Sequence, residues 1–211
     1  MSGASIPEFS PALFLPTASV VRLALAVALL AVLAGCGSVP TENFYTLSAV
    51  AAPERAAAVN AVPGFAVIVD AATVPELVDR PQFVVSVGDS RVSVLEQQRW
   101  AEPLKTQISR VVAMNLARSL GTPRVSTNLQ AGGSDADYRV TLDVQRFDSR
   151  PGDAVAMEIL WTVRRGAAAE AKSGRSAVEE KIGTEGYDAL VAAHNRALAT
   201  ISREIAAAIQ K

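Results

Sequence analysis

Through the middle of the chain, apolar and polar side chains alternate with a period of two, and two stretches depart from this rhythm with apolar residues every three to four positions. Phe44-Tyr45-Thr46-Leu47 is an aromatic and β-branched cluster that suits a first strand. Residues 49–63, Ala-rich and bounded by proline, read as a surface connection. Phe65, Val67 and Val69 then alternate with Ala66, Ile68 and Asp70, which predicts a mostly buried strand. Phe83, Val85 and Val87 form a second alternating set, Gly88-Asp89 supplies a turn, and Val92 and Val94 form a third; together they predict a hairpin.

Glu102-Pro103 opens a helix, because proline is tolerated in the first turn, and Leu104, Ile108, Val111, Val112, Leu116 and Leu120 recur at helical spacing until Gly121 and Pro123 stop it. A short run at 124–127 and a polar loop at Gly132-Gly133 lead to the clearest strand, with Tyr138, Val140, Leu142 and Val144 on one face. Pro151-Gly152 is a turn signal, and Val155, Met157, Ile159, Trp161 and Val163 give the returning strand one covered face. Residues 171–182 are more polar but compatible with a strand. From about Gly186 a long helix carries Leu190, Val191, Leu198, Ile201, Ile205 and Ile209 on one stripe. The economical architecture is a two-layer α+β domain: a mixed, largely antiparallel sheet with two main amphipathic helices packed on one face.

The amino-terminal part follows neither period. Residues 23–33 are Leu, Ala and Val without a charge, Arg22 precedes them, and Leu33-Ala34-Gly35-Cys36 closes the run with the only cysteine of the chain. A positive residue, a short apolar core and small residues before a cut site make a bacterial secretory signal, too short to span a bilayer as a helix. The last four residues read as a lipobox, in which Ala34 and Gly35 give a membrane-embedded peptidase access to the backbone before Cys36. The competing reading, a small buried thiol, does not account for that conjunction. Residues 1–35 are therefore expected to be a signal peptide, 36–43 a lipidated terminus with a short tether, and 44–211 a single domain. Met1 to Ser19 holds Glu8, three prolines and no Lys or Arg, unlike a working leader, so synthesis is expected to begin at Val20 or Val21. Gly37 and Ser38 after the cysteine lack the Asp of inner-membrane retention, which points to the outer membrane.

Removal of residues 1–35 from the 211 leaves 176, one domain's worth. Twenty basic and 21 acidic side chains give a net charge of −1, no footprint for nucleic acid and no polybasic patch to assist a lipid anchor. One cysteine excludes an internal disulfide, and one histidine excludes a metal site built on a histidine cluster. The spacing of Tyr187, Leu190, His194, Leu198 and Ile201 puts His194 at the edge of the last helix's apolar stripe, where a satisfied core histidine is expected. There is no Gly-x-Ser-x-Gly elbow, phosphate loop or dinucleotide fingerprint. Asp135, Asp137, Asp148 and Asp153 fall at loop or strand ends, where solvated carboxylates are the default. No catalytic residue, metal or cofactor is expected, apart from covalent lipid, including palmitate, on Cys36.

Two further stretches stand out: Asp79-Arg80-Pro81-Gln82 before a strand, and Arg99-Trp100-Ala101-Glu102-Pro103-Leu104 entering the first helix. Local roles are available to them, with Arg80 pairing Asp79 and Trp100 stapling the helix start. Arg and Trp are also over-represented at binding hot spots, so Arg80 and Trp100 are candidate partner-binding residues or supports of that face.

In this order, Cys36, Phe44-Tyr45-Thr46-Leu47, Val78-Asp79-Arg80-Pro81-Gln82 and Arg99-Trp100-Ala101-Glu102-Pro103-Leu104 resemble the ABC-type transport auxiliary lipoproteins, the group containing the lipoprotein of the paraquat-inducible operon. The final helix, with Ile201-Ser202-Arg203-Glu204-Ile205-Ala206, fits the family's usual ending. The resemblance implies a non-enzymatic component of an envelope lipid-transport system, anchored on the periplasmic face of the outer membrane. Its implied partners are a periplasmic MCE-domain protein that forms a lipid tunnel, an ABC permease and an ATPase, and it leaves homo-oligomerisation open. A pilotin or assembly factor of another envelope machine would share the anchor and fold, and a lipid-directed hydrolase would need a nucleophile beside the one histidine.

Overall fold

The computed structural model describes residues 18–19, 22–23, 25, 41–50, 64–127, 136–166 and 171–211. The lipobox with Cys36, most of the connection at 49–63, Gly132-Gly133 and Asp135 lie outside the described residues. The chain divides into two units, Met1–Pro40 and Thr41–Lys211. In the first, the described residues are helical and expose Leu23 and Leu25. Among the described residues no helix is long and apolar enough to cross a membrane.

The second unit runs β1 (Asn43–Tyr45), β2 (Val67–Val69), β3 (Gln82–Ser86), β4 (Val92–Trp100), α1 (Leu104–Leu120), β5 (Val125–Thr127), β6 (Tyr138–Arg150), β7 (Ala154–Arg165), β8 (Ala171–Lys181) and α2 (Tyr187–Gln210). This is the expected α+β class, with the strands shared between two mixed sheets rather than lying in one: a three-stranded sheet in the order β1-β4-β3 and a five-stranded sheet in the order β5-β2-β6-β7-β8. The long pairings, β3 with β4 and β6-β7-β8, are antiparallel, whereas β1 on β4 and β2 between β5 and β6 are parallel and three residues long. β2 is buried on both faces, as its unbroken apolar composition requires.

Both hairpins form. β3 and β4 are joined by a turn closed by the Val87 amide donating to Arg91 O at 2.9 Å, so Val87 lies beyond the strand and is exposed. At Pro151-Gly152, Gly152 takes φ 74°, the left-handed conformation that glycine adopts without steric cost. β6 runs on to Arg150, well past the clear alternation, because its register with β7 shifts between Val144 and Arg146. This bulge inserts one residue, so the inward face of Val140, Leu142 and Val144 resumes at Phe147 and Ser149. Without it Phe147 would point away from the core.

The polar strand β8 is held to β7 by charge and by one aromatic contact. Arg175 meets Glu158 at 2.8 Å, Glu179 meets Arg150 at 3.0 Å and Lys181 meets Asp153 at 2.8 Å, while Glu180 reaches Arg196 of α2 at 3.1 Å. Gly174 lies opposite Trp161, and a Cβ there would sit 2.2 Å from the indole ring, so only glycine admits it. The indole N–H donates to Ser176 Oγ at 3.0 Å, and the Ser176 hydroxyl donates to Glu204 on α2.

Helix α1 starts after Pro103 and ends at Gly121, whose φ of 66° forms a left-handed cap. The aliphatic stripes predicted for both helices are buried throughout. α1 packs against β2 and β5, α2 against β7 and β8, and the helices against each other. At roughly 1.5–3 kcal/mol per buried aliphatic side chain, each stripe contributes on the order of 10 kcal/mol of gross burial free energy, opposed by the entropy of ordering the helix.

Candidate partner-binding groove

The strand β4 and the segments at its end build an open groove of about 650 Å³, lined by Glu42, Phe44, residues 79–81 and residues 99–105. The two stretches singled out in the sequence thus converge on one place. Their convergence follows from register: Gln82 faces Arg99 while Phe83 faces Leu95, so residues 96–98 have no register partner on β3 and the segment before Pro81 is brought beside Trp100. The Trp100 amide donates to Pro81 O at 2.7 Å and the Ala101 amide to Tyr45 O at 2.8 Å, tying all three segments together.

Trp100, beside the helix start, is the last residue of β4, held there by pairing with Tyr45 of β1 and by its bond to Pro81 O. Its ring is 6% exposed and forms the groove's floor, tilted on Phe83 at 4.2 Å and edge-on to Phe147 at 6.1 Å. Tyr45 packs on the same Phe83 at 4.8 Å and donates its hydroxyl to Gln98 at 2.7 Å. Phe44, 62% exposed, and Arg80 stand on the exposed rim. Asp79 pairs with Lys105 at 3.2 Å rather than with Arg80. Arg99 meets Glu42 at 2.7 Å, and Arg110 meets Glu102 at 2.6 Å.

Three polar side chains on the helices hold the groove's supports, and sequence reading did not single them out. Gln107 accepts from the Leu47 amide at 2.6 Å and donates to Glu102 O at 2.8 Å. Asn195 accepts from the Ser48 amide at 2.9 Å, and Ser109 from the Ala72 amide at 2.8 Å. Each satisfies a backbone donor that has left its strand, which is how irregular chain is buried without penalty. The available signal was a polar residue at a stripe position: Gln107 falls between Leu104 and Ile108, and Asn195 four residues after Val191.

His194 lies deeper than the expected core edge: it is fully buried, stacked on Phe147 at 4.0 Å, with Nε2 2.8 Å from Ser149 Oγ. Burial alone holds its pKa down to about 3, so the imidazole is neutral. Donation from Nε2–H to Ser149 leaves at Nδ1 only a lone pair without a partner. A serine and histidine in contact suggest a nucleophile and base, but this base is too weak, no acid among the described residues orients it, and both groups are buried. The carboxylates have structural work: Asp137 accepts from the Ala66 amide, Asp148 pairs with Arg146, and Asp153 with Lys181. Lys181 lowers the Asp153 pKa by hydrogen bonding, and that of Lys181 is raised in return. Among the described residues no group of His, Cys, Asp and Glu could hold a metal ion.

Two solved structures share the fold. One, the crystal structure of an uncharacterized protein, superposes with a TM-score of 0.65 at 22% identity, covering 81% of this chain and 99% of that one. Protein XCC0632 from Xanthomonas campestris superposes with a TM-score of 0.62 at 18% identity, covering 78% and 92%. No curated protein matches this chain. The sequence model described as ABC-type transport auxiliary lipoprotein component matches residues 45–206, which take in the floor and most of the rim of the groove. The chain belongs to the ABC-type transport auxiliary lipoprotein family.

Proposed function

We propose that this protein is a non-enzymatic docking component of an intermembrane lipid-transport system, anchored through lipid on Cys36 to the periplasmic face of the outer membrane, where it receives a periplasmic MCE-domain protein served by an ABC permease and ATPase. The observation that carries this reading is the groove: Arg80, Phe44 and the Trp100 floor come together at an open surface close in sequence to Thr41, with no catalytic constellation around them among the described residues. Lipidation at Cys36 would keep the groove at the bilayer, since the six residues from Cys36 to Glu42 extend about 20 Å at most. Acylation by several chains gives lasting attachment where one would not, at ~0.8 kcal/mol per buried methylene.

The test is affinity purification of the full-length, lipidated protein from solubilised envelopes after mild crosslinking, with mass spectrometry of what accompanies it. Recovery of an MCE-domain protein with its permease and ATPase is the expected result. Recovery of a secretion or assembly machine in their place would refute the transport reading and make the protein a structural lipoprotein of that machine.

A further inference from the structure

Around the groove the charged side chains are matched in pairs, with one exception. Glu42 is taken by Arg99, Asp79 by Lys105 and Glu102 by Arg110. Arg80, exposed on the rim, has no ion-pair or hydrogen-bond partner among the described residues. The lining is neutral overall, with three acids and three bases, and Arg80 is its one charged side chain without an ion-pair partner among the described residues. Beside it, Phe44 holds an aromatic ring in solvent on a strand whose outer side has no neighbour among the described residues, since β1 ends the order β1-β4-β3. An unpaired guanidinium and an exposed ring on one rim, over a floor closed by Trp100, form a recognition surface for a ligand with both an anionic and an apolar group.

We propose that the groove receives a segment of the transport partner that presents a carboxylate side chain to Arg80 and an apolar side chain to Phe44; this rests on the docking reading above. A guanidinium binds a carboxylate through two parallel hydrogen bonds, which fixes orientation as well as affinity. A polypeptide suits these walls better than an acyl chain does. Two ion pairs, Arg99–Glu42 and Lys105–Asp79, and the paired carboxylate of Glu102 line the groove, and an acyl chain laid along them would strip their water without returning a hydrogen bond, whereas a peptide brings its own donors and acceptors.

The experiment uses the full-length lipidated protein in cells, with a photoreactive phenylalanine derivative at position 44 and the crosslinked peptides mapped by mass spectrometry. The expected catch is one segment of the MCE-domain partner in which an Asp or Glu is flanked by apolar residues. Arg80→Glu should weaken that capture about tenfold or more, as loss of a hydrogen-bonded charge pair does. Exchanging the mapped acid for Lys in the Arg80→Glu background should restore it. Arg80→Gln, with an unchanged melting temperature, serves as the second variant should the charge reversal disturb folding. Crosslinks to phospholipid, to a second copy, or to a partner segment without an acid would overturn the proposal, as would undiminished capture by Arg80→Glu and Arg80→Gln. If the partner still co-purifies in that last case, docking stands and only the groove assignment fails; if no transport component accompanies the wild type, the docking reading fails and takes this inference with it.

Discussion

The only histidine of the chain makes the interior of the fold accessible to a pH measurement. His194 has an ordinary pKa of 6.5 when unfolded and about 3 in the fold, because it is buried without a charge to help it ionise. Between these values the unfolded chain binds a proton that the folded one refuses, so stability rises with pH across this window and is lost as pH falls below 6.5. Integrated from pH 7 to pH 4.5, a site with these two values removes about 2.5 kcal/mol, on average about 1 kcal/mol per pH unit against a limiting slope of about 1.36. Carboxylates contribute at the acid end of the same range, and a variant subtracts them. His194→Gln keeps a polar group beside Ser149 and cannot titrate. Urea unfolding followed by tryptophan fluorescence, with Trp100 in the core as reporter, should show the wild type losing about 2.5 kcal/mol more than the variant over that interval. A difference between the two proteins that stays constant with pH would refute the argument, since it would mean that the folded imidazole takes up protons as readily as the unfolded one.

Two further predictions concern packing. Gly174→Ala forces the Trp161 ring out of its place across β8 and should destabilise the protein by about 1–3 kcal/mol, read as a lowered melting temperature together with a weakened near-ultraviolet tryptophan signal. Gln107→Leu preserves the volume of the stripe but leaves the Leu47 amide without its acceptor; a loss of about 1–3 kcal/mol in chemical unfolding is expected, with faster hydrogen exchange at residues 43–48 than elsewhere. Uniform exchange across the chain would show that the clasp is not local.

The helices were legible because each has a long stripe at helical spacing, and α1 has proline at its start and glycine at its end. The hairpins were legible because both strands of each alternate and a turn signal lies between them. The division into two sheets was not, since it depends on β1 finding β4 across more than fifty residues through a three-residue parallel pairing. The ends of β4 and β6 were hidden for different reasons. Residues 96–99 are polar and look like a loop, and in β6 the bulge breaks the alternation at Gln145. Of the groove, Arg80 and Trp100 were visible as residue types out of place, but not that one would form the floor and the other the rim. Phe44 was read as part of a strand, which it is, and its exposure could not be foreseen without knowing that β1 lies at an edge.

The clasp on Leu47 and Ser48 also has a mechanical meaning. Any tension on the chain ahead of Thr41 enters this unit at β1, which runs parallel to β4. A pull along such a strand loads its hydrogen bonds in shear, all together, instead of unzipping them one after another. Behind β1 the load passes through Gln107 into α1 and through Asn195 into α2, and so into the aliphatic stripes that hold the core. A pull at this point would therefore leave Phe44 and the floor beneath it in their positions, and the groove would stay in shape for as long as both helices stay docked.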